Sequence, residues 1–299
     1  MTVESEEYSL RPQDWDEYIG QEKLKSRLQV SMQGALSRDA ALGHILLAGP
    51  PGYGKTSLAA LVADEMMEDF HSYVMPLKPK DLTKIFLDKK GVIFLDEIHR
   101  LKNGVQEMLL PILEDFEIPF EDGKKIKIKH KLTVIGATTE IRKVIEPLRD
   151  RFDHKPKFEL YTDAEMAAIV ERMAERAGAP MRREHAKVLG RASAGVPRQA
   201  RTLVYGARDL GTSDPRKVLH FAGVTEDGLT EDHLEYLHVL NKLNNKAGID
   251  AIMNYMGQPK DVIMNIERLL IRKNFIIFTQ TGRELTTKGW ELVSDERTA

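Results

Sequence analysis

The first half of the chain is marked by short runs of consecutive apolar residues, each bounded by glycine or polar residues. The runs at 44–48, 91–95 and 133–139 predict strands that are buried on both faces, because a continuous apolar stretch of this length has no solvent-facing side. Helical patterns accompany them, an amphipathic one from Glu22 to about Ala40 and another from Ser57 to Met67. Strands alternating with helices predict an α/β fold with a parallel sheet.

From residues 152–156 onward the pattern changes to helices alone. Thr162 and Glu165 have the spacing of a capping box and open a helix rich in alanine and methionine. Two further helices are predicted at 184–194 and 198–210, with a Gly-Val-Pro break between them. This part of the chain is therefore predicted to be a small all-α unit.

The C-terminal segment combines helices with a hairpin. The predicted elements are three helices at 231–242, 248–256 and 259–273 and two strands at 275–279 and 283–287, with a turn at 280–282. Three helices closed by a hairpin indicate a winged helix, a variant of the helix-turn-helix. Such a module contacts DNA in many proteins and serves only as a protein-binding module in others.

Another hairpin is predicted between residues 118 and 132, where lysine and isoleucine alternate after the turn-forming pair Asp122-Gly123. The alternation assigns the side chains to two faces: Lys125, Lys127, Lys129 and Lys131 on one, Ile126 and Ile128 on the other. Two interpretations stay open for the lysine face. It is either a solvated surface that protects a sheet edge or a surface that contacts phosphate.

Composition adds limits rather than a function. At 299 residues, 42% hydrophobic and 30% charged, the chain is expected to be soluble and to form two or three domains. No apolar run approaches the ~20 residues of a membrane span, and the acidic first nine residues do not resemble a signal peptide. The sequence has no cysteine, which excludes disulfides and thiolate metal sites, and the cytoplasm is the expected compartment.

The strongest chemical signal is the sequence Gly-Pro-Pro-Gly-Tyr-Gly-Lys-Thr at 49–56, which follows the first predicted strand and precedes a helix. This is the setting of a phosphate-binding loop, whose glycines let backbone N–H groups point at phosphate oxygens. The candidate nucleotide-binding residues of the loop and the start of its helix are Gly52, Tyr53, Gly54, Lys55, Thr56 and Ser57. ATP and Mg²⁺ are the predicted ligands, with Lys55 on the β- and γ-phosphates and the Thr56 hydroxyl on the metal.

Two carboxylates complete the predicted site, because Asp96 and Glu97 follow the apolar run at 91–95. Alone, an acidic pair after a strand is usually a solvated loop. Downstream of a phosphate-binding loop, Asp96 is the expected partner of Mg²⁺, and Glu97 is expected to polarise the water that attacks the γ-phosphate. The prediction is therefore an ATPase rather than a passive nucleotide binder.

Taken together, the motifs resemble those of the RuvB family of Holliday-junction branch-migration motors, which belongs to the AAA+ class. The resemblance runs in order along nearly the whole chain and rests on Leu10-Arg11-Pro12, Tyr18-Ile19-Gly20-Gln21, the loop 49–56, Asp96 to Leu101, Gly136-Ala137-Thr138-Thr139, Pro147 to Phe152 and Gly195-Val196-Pro197-Arg198. It implies an AAA+ parallel-sheet core with a small all-α lid domain and a C-terminal winged-helix domain. The expected divisions are an acidic tail at 1–9, the ATPase domain at 10–157, the lid at 158–228 and the winged helix at 229–299.

The resemblance also assigns roles to single residues. Thr138 would be a polar sensor beside Glu97, Arg151 an arginine finger that reaches the γ-phosphate bound by the next subunit, and Arg198 a second sensor in the lid. Residues implied to lie around the adenine and ribose are Leu10, Arg11, Tyr18, Ile19 and Tyr161. Each also has an ordinary alternative: Arg151 could be a surface ion-pair residue, and Thr138 a common strand threonine.

The family further implies an ATP-driven translocase that moves duplex or four-way-junction DNA through a homo-oligomeric ring, expected to be a hexamer, with a RuvA-like loader and no membrane partner. The hairpin that docks RuvA in the family is shorter and lysine-rich here. In the wing, Arg283 stands at one position where the family has a DNA-contacting arginine and Phe278 at another, while Arg272, Lys273 and Lys288 lie nearby.

Two other functions compete with the translocase. A clamp-loader or initiator-like switch would load a partner protein on DNA, but clamp-loader subunits carry Ser-Arg-Cys at the finger, where this chain has Leu148-Arg149-Asp150-Arg151-Phe152. A protein unfoldase would need an aromatic-apolar-glycine pore loop, and the corresponding stretch at 76–81 has lysine and proline instead. The clamp-loader-like switch remains the alternative.

Overall fold

The computed structural model describes residues 10–120 and 124–295. The predicted acidic tail at 1–9 and the predicted turn at Asp122-Gly123 lie outside the described residues. The chain divides into two compact units, and the division falls between Tyr161 and Thr162. The predicted domain boundaries at 157 and 228 stay predictions, because a compact unit can hold more than one sequence domain.

A four-stranded parallel sheet forms the centre of the first unit, in the order β1-β6-β3-β2. Its strands are β1 (Ile45–Ala48), β2 (Phe70–Val74), β3 (Gly91–Asp96) and β6 (Leu132–Thr138). Residues 154 and 157 also make parallel bridges to β1, so the open edge of β1 is covered. The α/β prediction with a parallel-sheet core is confirmed.

Helices cover both faces of this sheet, as the apolar strand sequences require. Ile45 and Leu47 pack with one buried cluster, which includes residues of α1 and α2, while Leu46 packs with the other, which includes residues of α3 and α4. The helices are α1 (Glu22–Ser37), α2 (Lys55–Glu65), α3 (Pro79–Asp88), α4 (Asn103–Glu114) and the short α5 (Glu146–Asp150). Two single 3-10 turns, Ile98–Arg100 and Ile141–Lys143, follow β3 and β6.

The predicted lysine-rich hairpin is present as β4 (Glu117–Pro119) and β5 (Lys125–Lys127), which pair antiparallel. Its two faces are less distinct than the alternation predicted. Ile128, just after the strand, is buried, but Ile126 within the strand is 46% exposed. Lys125 pairs with Glu117 at 3.0 Å and Lys131 with Asp39, so these two lysines have acidic partners.

The second unit begins with helices, as predicted. These are α6 (Asp163–Arg176), α7 (Arg183–Ala192), α8 (Pro197–Asp209) and α9 (Pro215–Ala222). The capping box is present, since the Thr162 hydroxyl accepts from Glu165 N–H at 3.2 Å and the Glu165 carboxylate accepts from Thr162 N–H at 2.7 Å. Helix α9 was missed by the sequence analysis.

The winged-helix prediction is confirmed in the rest of this unit. Helices α10 (Glu231–Lys242), α11 (Ile249–Met256) and α12 (Lys260–Arg272) precede the strands β8 (Ile276–Thr279) and β9 (Gly282–Leu285), and β7 (Lys246–Ala247) completes a three-stranded sheet. A closing helix, α13 (Thr287–Asp295), was not predicted. Among the residues that the structure describes, no helix combines the length and apolarity needed to span a membrane.

His44 fixes the start of β1 to two other elements of the first unit. Its side chain is 3% exposed; Nε2 lies 3.1 Å from the Leu113 carbonyl oxygen at the end of α4, and Nδ1 accepts from the Val134 N–H of β6 at 3.0 Å. Burial lowers the pKa of His44, an effect that the charge of Asp153 partly opposes. A proton on Nδ1 would break the bond from Val134, so the neutral ring is the form that fits.

We predict that the first unit loses stability in mild acid because of His44. The folded-state pKa lies below the unfolded value of about 6.5, so the contribution is complete above that pH and is lost as the pH falls, by at most about 1.4 kcal/mol per pH unit. Urea unfolding at about pH 7.5 and pH 5.5 measures it. His44→Gln, which keeps a donor and an acceptor but does not titrate, should show a smaller difference; an equal difference would assign the acid sensitivity to another group.

Candidate functional site

The candidate site lies where three parallel strands end at one edge of the sheet. In the register, Ala48 of β1 is opposite Thr138 of β6, and Leu95 of β3 is opposite Gly136 of β6. The phosphate-binding loop follows β1, and Glu97 follows β3, so the parallel register brings their chemistry to a single edge. The Gly49 N–H donates to the Thr138 carbonyl oxygen at 3.1 Å, which ties the loop to the end of β6.

The loop has the backbone that its glycines predict. Gly52 and Gly54 have φ values of 79° and 87°, a left-handed conformation that glycine adopts without steric penalty. A Cβ at Gly54 would lie 3.1 Å from the Tyr18 hydroxyl. Lys55 starts α2 and is 7% exposed, and its Nζ donates to the carbonyl oxygens of Gly49 and Pro50 at 2.8 and 2.9 Å. The ammonium group is thus held across the loop, at the N-terminus of α2, where anions bind.

Two tyrosine hydroxyls lie close to the backbone of this loop. The Tyr18 hydroxyl lies 3.4 Å from the Gly54 carbonyl oxygen, and the Tyr161 hydroxyl 3.5 Å from that of Tyr53. The rings of Tyr53 and Tyr161 are 5.8 Å apart. Burial and the neighbouring Tyr161 raise the pKa of Tyr18 well above its usual value. Sequence reasoning placed both tyrosines near the base or ribose; their hydroxyls contact the loop backbone.

The segment before α1 is joined to the end of the first unit by Gln21. Its side-chain amide donates to the Glu159 carbonyl oxygen and accepts from the Glu159 N–H, both at 2.8 Å. The other residues predicted to surround the adenine lie in this segment. Leu10 is buried, while Arg11 and Ile19 are partly exposed.

The oxygen atoms near the loop fit a magnesium ion. The Thr56 hydroxyl stands at the second residue of α2, and the Asp96 carboxylate ends β3, where its Oδ1 accepts from Glu97 N–H at 3.1 Å. Magnesium prefers such oxygen ligands and normally keeps water and substrate phosphates in its remaining positions. The residue types and their placement after β1 and β3 are therefore compatible with the predicted Mg²⁺.

Glu97 has an unusual backbone and a fixed side chain. It is left-handed, with φ 53° and ψ 49°, which is uncommon for a residue with a Cβ and typical of functional sites. Its Oε2 accepts from the Thr139 N–H at 3.0 Å and from the Thr139 hydroxyl at 2.9 Å. Thr138, predicted to lie beside Glu97, is fully buried, and its neighbour Thr139 makes the direct contact.

Thr138 instead meets a histidine that the sequence analysis did not assign to any role. His99 Nδ1 lies 3.0 Å from Thr138 Oγ1 and 3.1 Å from Glu97 Oε2, and Nε2 lies 3.3 Å from Glu140 Oε1. The imidazole is 8% exposed. One sequence signal could have identified His99: it stands two residues after Glu97. In the structure this places it on the 3-10 turn that follows β3 and packs near the end of β6.

The predicted arginine finger, Arg151, and the predicted second sensor, Arg198, each lie at the end of a helix. Arg151 follows α5 at the surface of the first unit, with Nη2 and Nε 2.7 and 2.8 Å from Glu114 Oε2 and a side chain that is 34% exposed. Arg198 is the second residue of α8 in the second unit and is exposed. Their assigned roles stay predictions.

The wing arginine is directed inward. Arg283 is the second residue of β9, one pair in from the turn, and its Nε and Nη2 donate to Glu267 Oε1 and Oε2 at 2.7 and 3.1 Å. Glu267 is 2% exposed and also accepts from the Tyr236 hydroxyl at 2.8 Å. The Arg283 guanidinium lies 4.7 Å from the centre of the Phe278 ring. Arg283 therefore neutralises a buried carboxylate, and its predicted DNA contact stays a prediction.

The other predicted DNA-binding cations also have protein partners. Lys273 Nζ lies 3.5 Å from the Arg191 carbonyl oxygen in the last turn of α7, and Arg272 donates to the carbonyl oxygen of Ala194, two residues after the helix ends. Cations are favourable there because the last carbonyl groups of a helix are not paired within it. Lys288 lies 3.3 Å from an Asp227 carboxylate oxygen. By contrast Arg268, which sequence reasoning did not select, is exposed on α12.

The fold and site define a class: a AAA+ P-loop ATPase with a C-terminal winged helix. Two family models match the chain, the Holliday junction DNA helicase RuvB P-loop domain over residues 10–158 and the RuvB C-terminal winged helix domain over residues 226–294. The chain belongs to the RuvB family.

Relatives and solved structures agree with this. A protein of Helicobacter pylori is named Holliday junction branch migration complex subunit RuvB. It is 36% identical to this chain in an alignment of 310 positions, gaps included, which covers 97% of this chain and 92% of that protein. The protein of the same name from Kosmotoga olearia is 36% identical over 304 residues, 94% and 89% of the two chains. The Thermotoga maritima RuvB Holliday junction branch migration motor superimposes with a TM-score of 0.81 at 30% identity, covering 96% of this chain and 98% of that one.

We predict that Arg283→Met destabilises the winged-helix part by on the order of 3 kcal/mol, because Glu267 would be left buried without its cation. Adding Glu267→Gln should recover more than half of the loss, since the neutral amide still meets Tyr236. Thermal and urea unfolding measure both. Arg268→Ala, which removes an exposed arginine from the same part, is the matched control and should change stability by less than about 0.5 kcal/mol. Equal, small losses for Arg283→Met and Arg268→Ala would show that the pair is not structural.

Proposed function

We propose that this chain is an ATP-driven motor that moves duplex DNA and drives branch migration of Holliday junctions in recombination and repair. The observation that carries the proposal is the likeness to proteins named RuvB along nearly the whole chain, including both the P-loop and the winged-helix parts. The alternative, a clamp-loader-like switch, has no comparable support.

The proposed hydrolysis uses residues from all three strand ends. Loop N–H groups and Lys55 hold the β- and γ-phosphates, and Thr56 and Asp96 hold Mg²⁺, which when bound neutralises part of the phosphate charge. Glu97 accepts a proton from the attacking water as the phosphoanhydride bond breaks. Thr139 keeps one oxygen of Glu97 in place through two hydrogen bonds, so the carboxylate need not reorganise during the reaction.

The proposed assembly is a homohexameric ring around DNA, with the chain divided into an acidic tail (1–9), an ATPase domain (10–157), a lid (158–228) and a winged helix (229–299). In this proposal Leu10, Arg11, Tyr18, Ile19 and Tyr161 surround the nucleoside. Thr138 is the polar sensor, Arg151 the finger that reaches the γ-phosphate bound by the next subunit, and Arg198 the second sensor in the lid. A RuvA-like loader is the further proposed partner. The strands β4 and β5 would meet it, and β5 carries lysines, whereas the hairpin of the family is apolar.

DNA is proposed to be held through its backbone, because a motor that travels along any sequence has no use for base readout. The candidates from the sequence are Arg283, Arg272, Lys273 and Lys288. Since the partners of these residues lie within the second unit, a phosphate would have to displace a carboxylate or carbonyl oxygen. Arg268 requires no such exchange at its exposed position and is added to the candidates.

We expect Glu97→Gln to bind ATP like the wild type and to lose hydrolysis and branch migration together, because the amide keeps the shape but is a poor base. Lys55→Ala should lose ATP binding itself. Nucleotide affinity, phosphate release and the conversion of a synthetic four-way junction into duplex products measure the three steps. Asp64→Asn, on the exposed side of α2, is a control that should leave all three within about two-fold.

Two outcomes would contradict these assignments. If Glu97→Gln hydrolyses ATP at the wild-type rate, Glu97 is not the base. If the wild type hydrolyses ATP and binds the junction but never moves the branch point, with or without a RuvA-type protein, the motor function is wrong and the switch becomes the better proposal.

We also expect hydrolysis to require neighbouring subunits. Arg151 lies at the surface, outside the contacts of the candidate site, and an arginine supplied by a neighbour contributes on the order of 10³-fold or more to turnover. Arg151→Ala and Lys55→Ala should each be inactive alone, and mixing them should restore part of the activity because some interfaces combine an intact loop with an intact arginine. Arg142→Ala, an exposed arginine of the same unit, is the control. No recovery, with turnover independent of protein concentration, would indicate a self-contained site.

A further inference from the structure

His99 has no role in the hydrolysis proposed above, although it lies against the proposed base. We infer that His99 is a positioning residue that holds the Glu97 carboxylate for the attack of water and links it to the end of β6. This inference rests on the proposed role of Glu97. It concerns an additional residue of the same reaction and does not alter the nucleotide-binding assignments.

The contacts on the Glu97 carboxylate are unevenly distributed between its two oxygens. The Thr139 N–H, the Thr139 hydroxyl and His99 Nδ1 all meet the same oxygen, Oε2, at 3.0, 2.9 and 3.1 Å. The two Thr139 donors hydrogen-bond to this oxygen, and the imidazole packs against it, so the carboxylate is confined on this side. The other oxygen, Oε1, receives no contact from these three groups, so it is the atom we assign to the attacking water.

The imidazole ring is anchored through its other nitrogen. Nε2 lies 3.3 Å from Glu140 Oε1, and Glu140 is itself held, since its N–H donates to Thr138 Oγ1 at 3.0 Å and its Oε2 lies 2.8 Å from Lys143 Nζ. The ring is almost completely covered and has a carboxylate on each side. A ring held at both nitrogens can orient the group that it contacts.

His99 also links Glu97 to the phosphate-binding loop. Thr138 Oγ1 lies 3.0 Å from His99 Nδ1, and the Thr138 carbonyl oxygen accepts from the Gly49 N–H, while the Gly49 carbonyl oxygen accepts from Lys55. A continuous series of contacts therefore joins the lysine proposed to bind phosphate to the carboxylate proposed to activate water. His99 is the member of the series that touches both Thr138 and Glu97.

The left-handed backbone of Glu97 explains why such support is needed. The conformation at φ 53° turns the chain sharply after β3, and a non-glycine residue keeps such a strained backbone only when its surroundings hold it there. Without the imidazole, the Glu97 carboxylate keeps the two hydrogen bonds from Thr139 alone. A misplacement of a catalytic group by about 1 Å can reduce a rate by about 100-fold.

The test compares three substitutions at one position. His99→Asn places an amide N–H near the position of Nδ1 and can still reach Glu97; His99→Gln extends towards Glu140 instead; His99→Ala does neither. We expect kcat for ATP to fall by about 10- to 100-fold in His99→Ala and His99→Gln and by less than about five-fold in His99→Asn. The KM for ATP should stay within about two-fold in all three, because the phosphate-binding loop is intact.

A second comparison separates positioning from general damage. In a Glu97→Gln background, His99→Ala should cause no further loss of turnover, since residues that act as a unit are not additive. Nucleotide titration and urea unfolding confirm that the variants are folded. Wild-type kcat in His99→Ala, equal rates for His99→Asn and His99→Gln, or a KM that rises as kcat falls would each overturn the inference.

The two levels of the proposal fail differently. If Glu97→Gln is active, the proposed base is wrong, and His99 has nothing to position. If Glu97→Gln is inactive while His99→Ala turns over normally, the base is right, and only the role of His99 is wrong.

Discussion

The parallel pairing of β1, β6 and β3 is the constraint on which the site depends. Ala48 of β1 lies opposite Thr138 of β6, and Leu95 of β3 lies opposite Gly136 of β6. The loop after β1 and the turn after β3 therefore flank β6 at the same end of the sheet. A slip of one residue would turn every side chain of a strand to the other face. Because both faces are covered by apolar clusters, the core fixes the register, and the register in turn fixes the distance between the phosphate-binding loop and Glu97.

Much of this could be predicted from the sequence, for physical reasons that differ by element. The buried strands at 45–48, 91–96 and 132–138 are evident because both of their faces are apolar, and the loop at 49–56 because its glycines and lysine have a known chemical purpose. Helices α3, α4, α9 and α13 were not predicted. For α9, which has only about two turns, the reason is that so short a helix gives a weak periodic signal. Strand β2, whose sequence is Phe-His-Ser-Tyr-Val, was missed because it lies at the sheet edge and is only partly buried.

Side-chain partners were the part of the site that the sequence could not supply. Thr138 and Thr139 are adjacent in the sequence and chemically identical, so the sequence could not show that Thr139 contacts Glu97 while Thr138 contacts His99. The position of Arg283 in the sequence likewise suggested a side chain available to DNA. In the structure its guanidinium donates to Glu267, which lies sixteen residues earlier on α12.

The use of cations inside the second unit bears on how a chain with a net charge of −2 can hold DNA. Arg283 neutralises a buried glutamate, and Arg272 and Lys273 meet carbonyl groups at or just after the end of α7. Exchanging such a partner for a phosphate recovers only the difference between two electrostatic contacts, so each cation contributes less than a fully solvated one would. In the ring proposed above, affinity for the DNA backbone would then come from exposed residues such as Arg268 and from the repetition of one surface in several subunits. Repeated weak contacts bind strongly as a set while each one exchanges rapidly, which is the behaviour that movement along DNA requires.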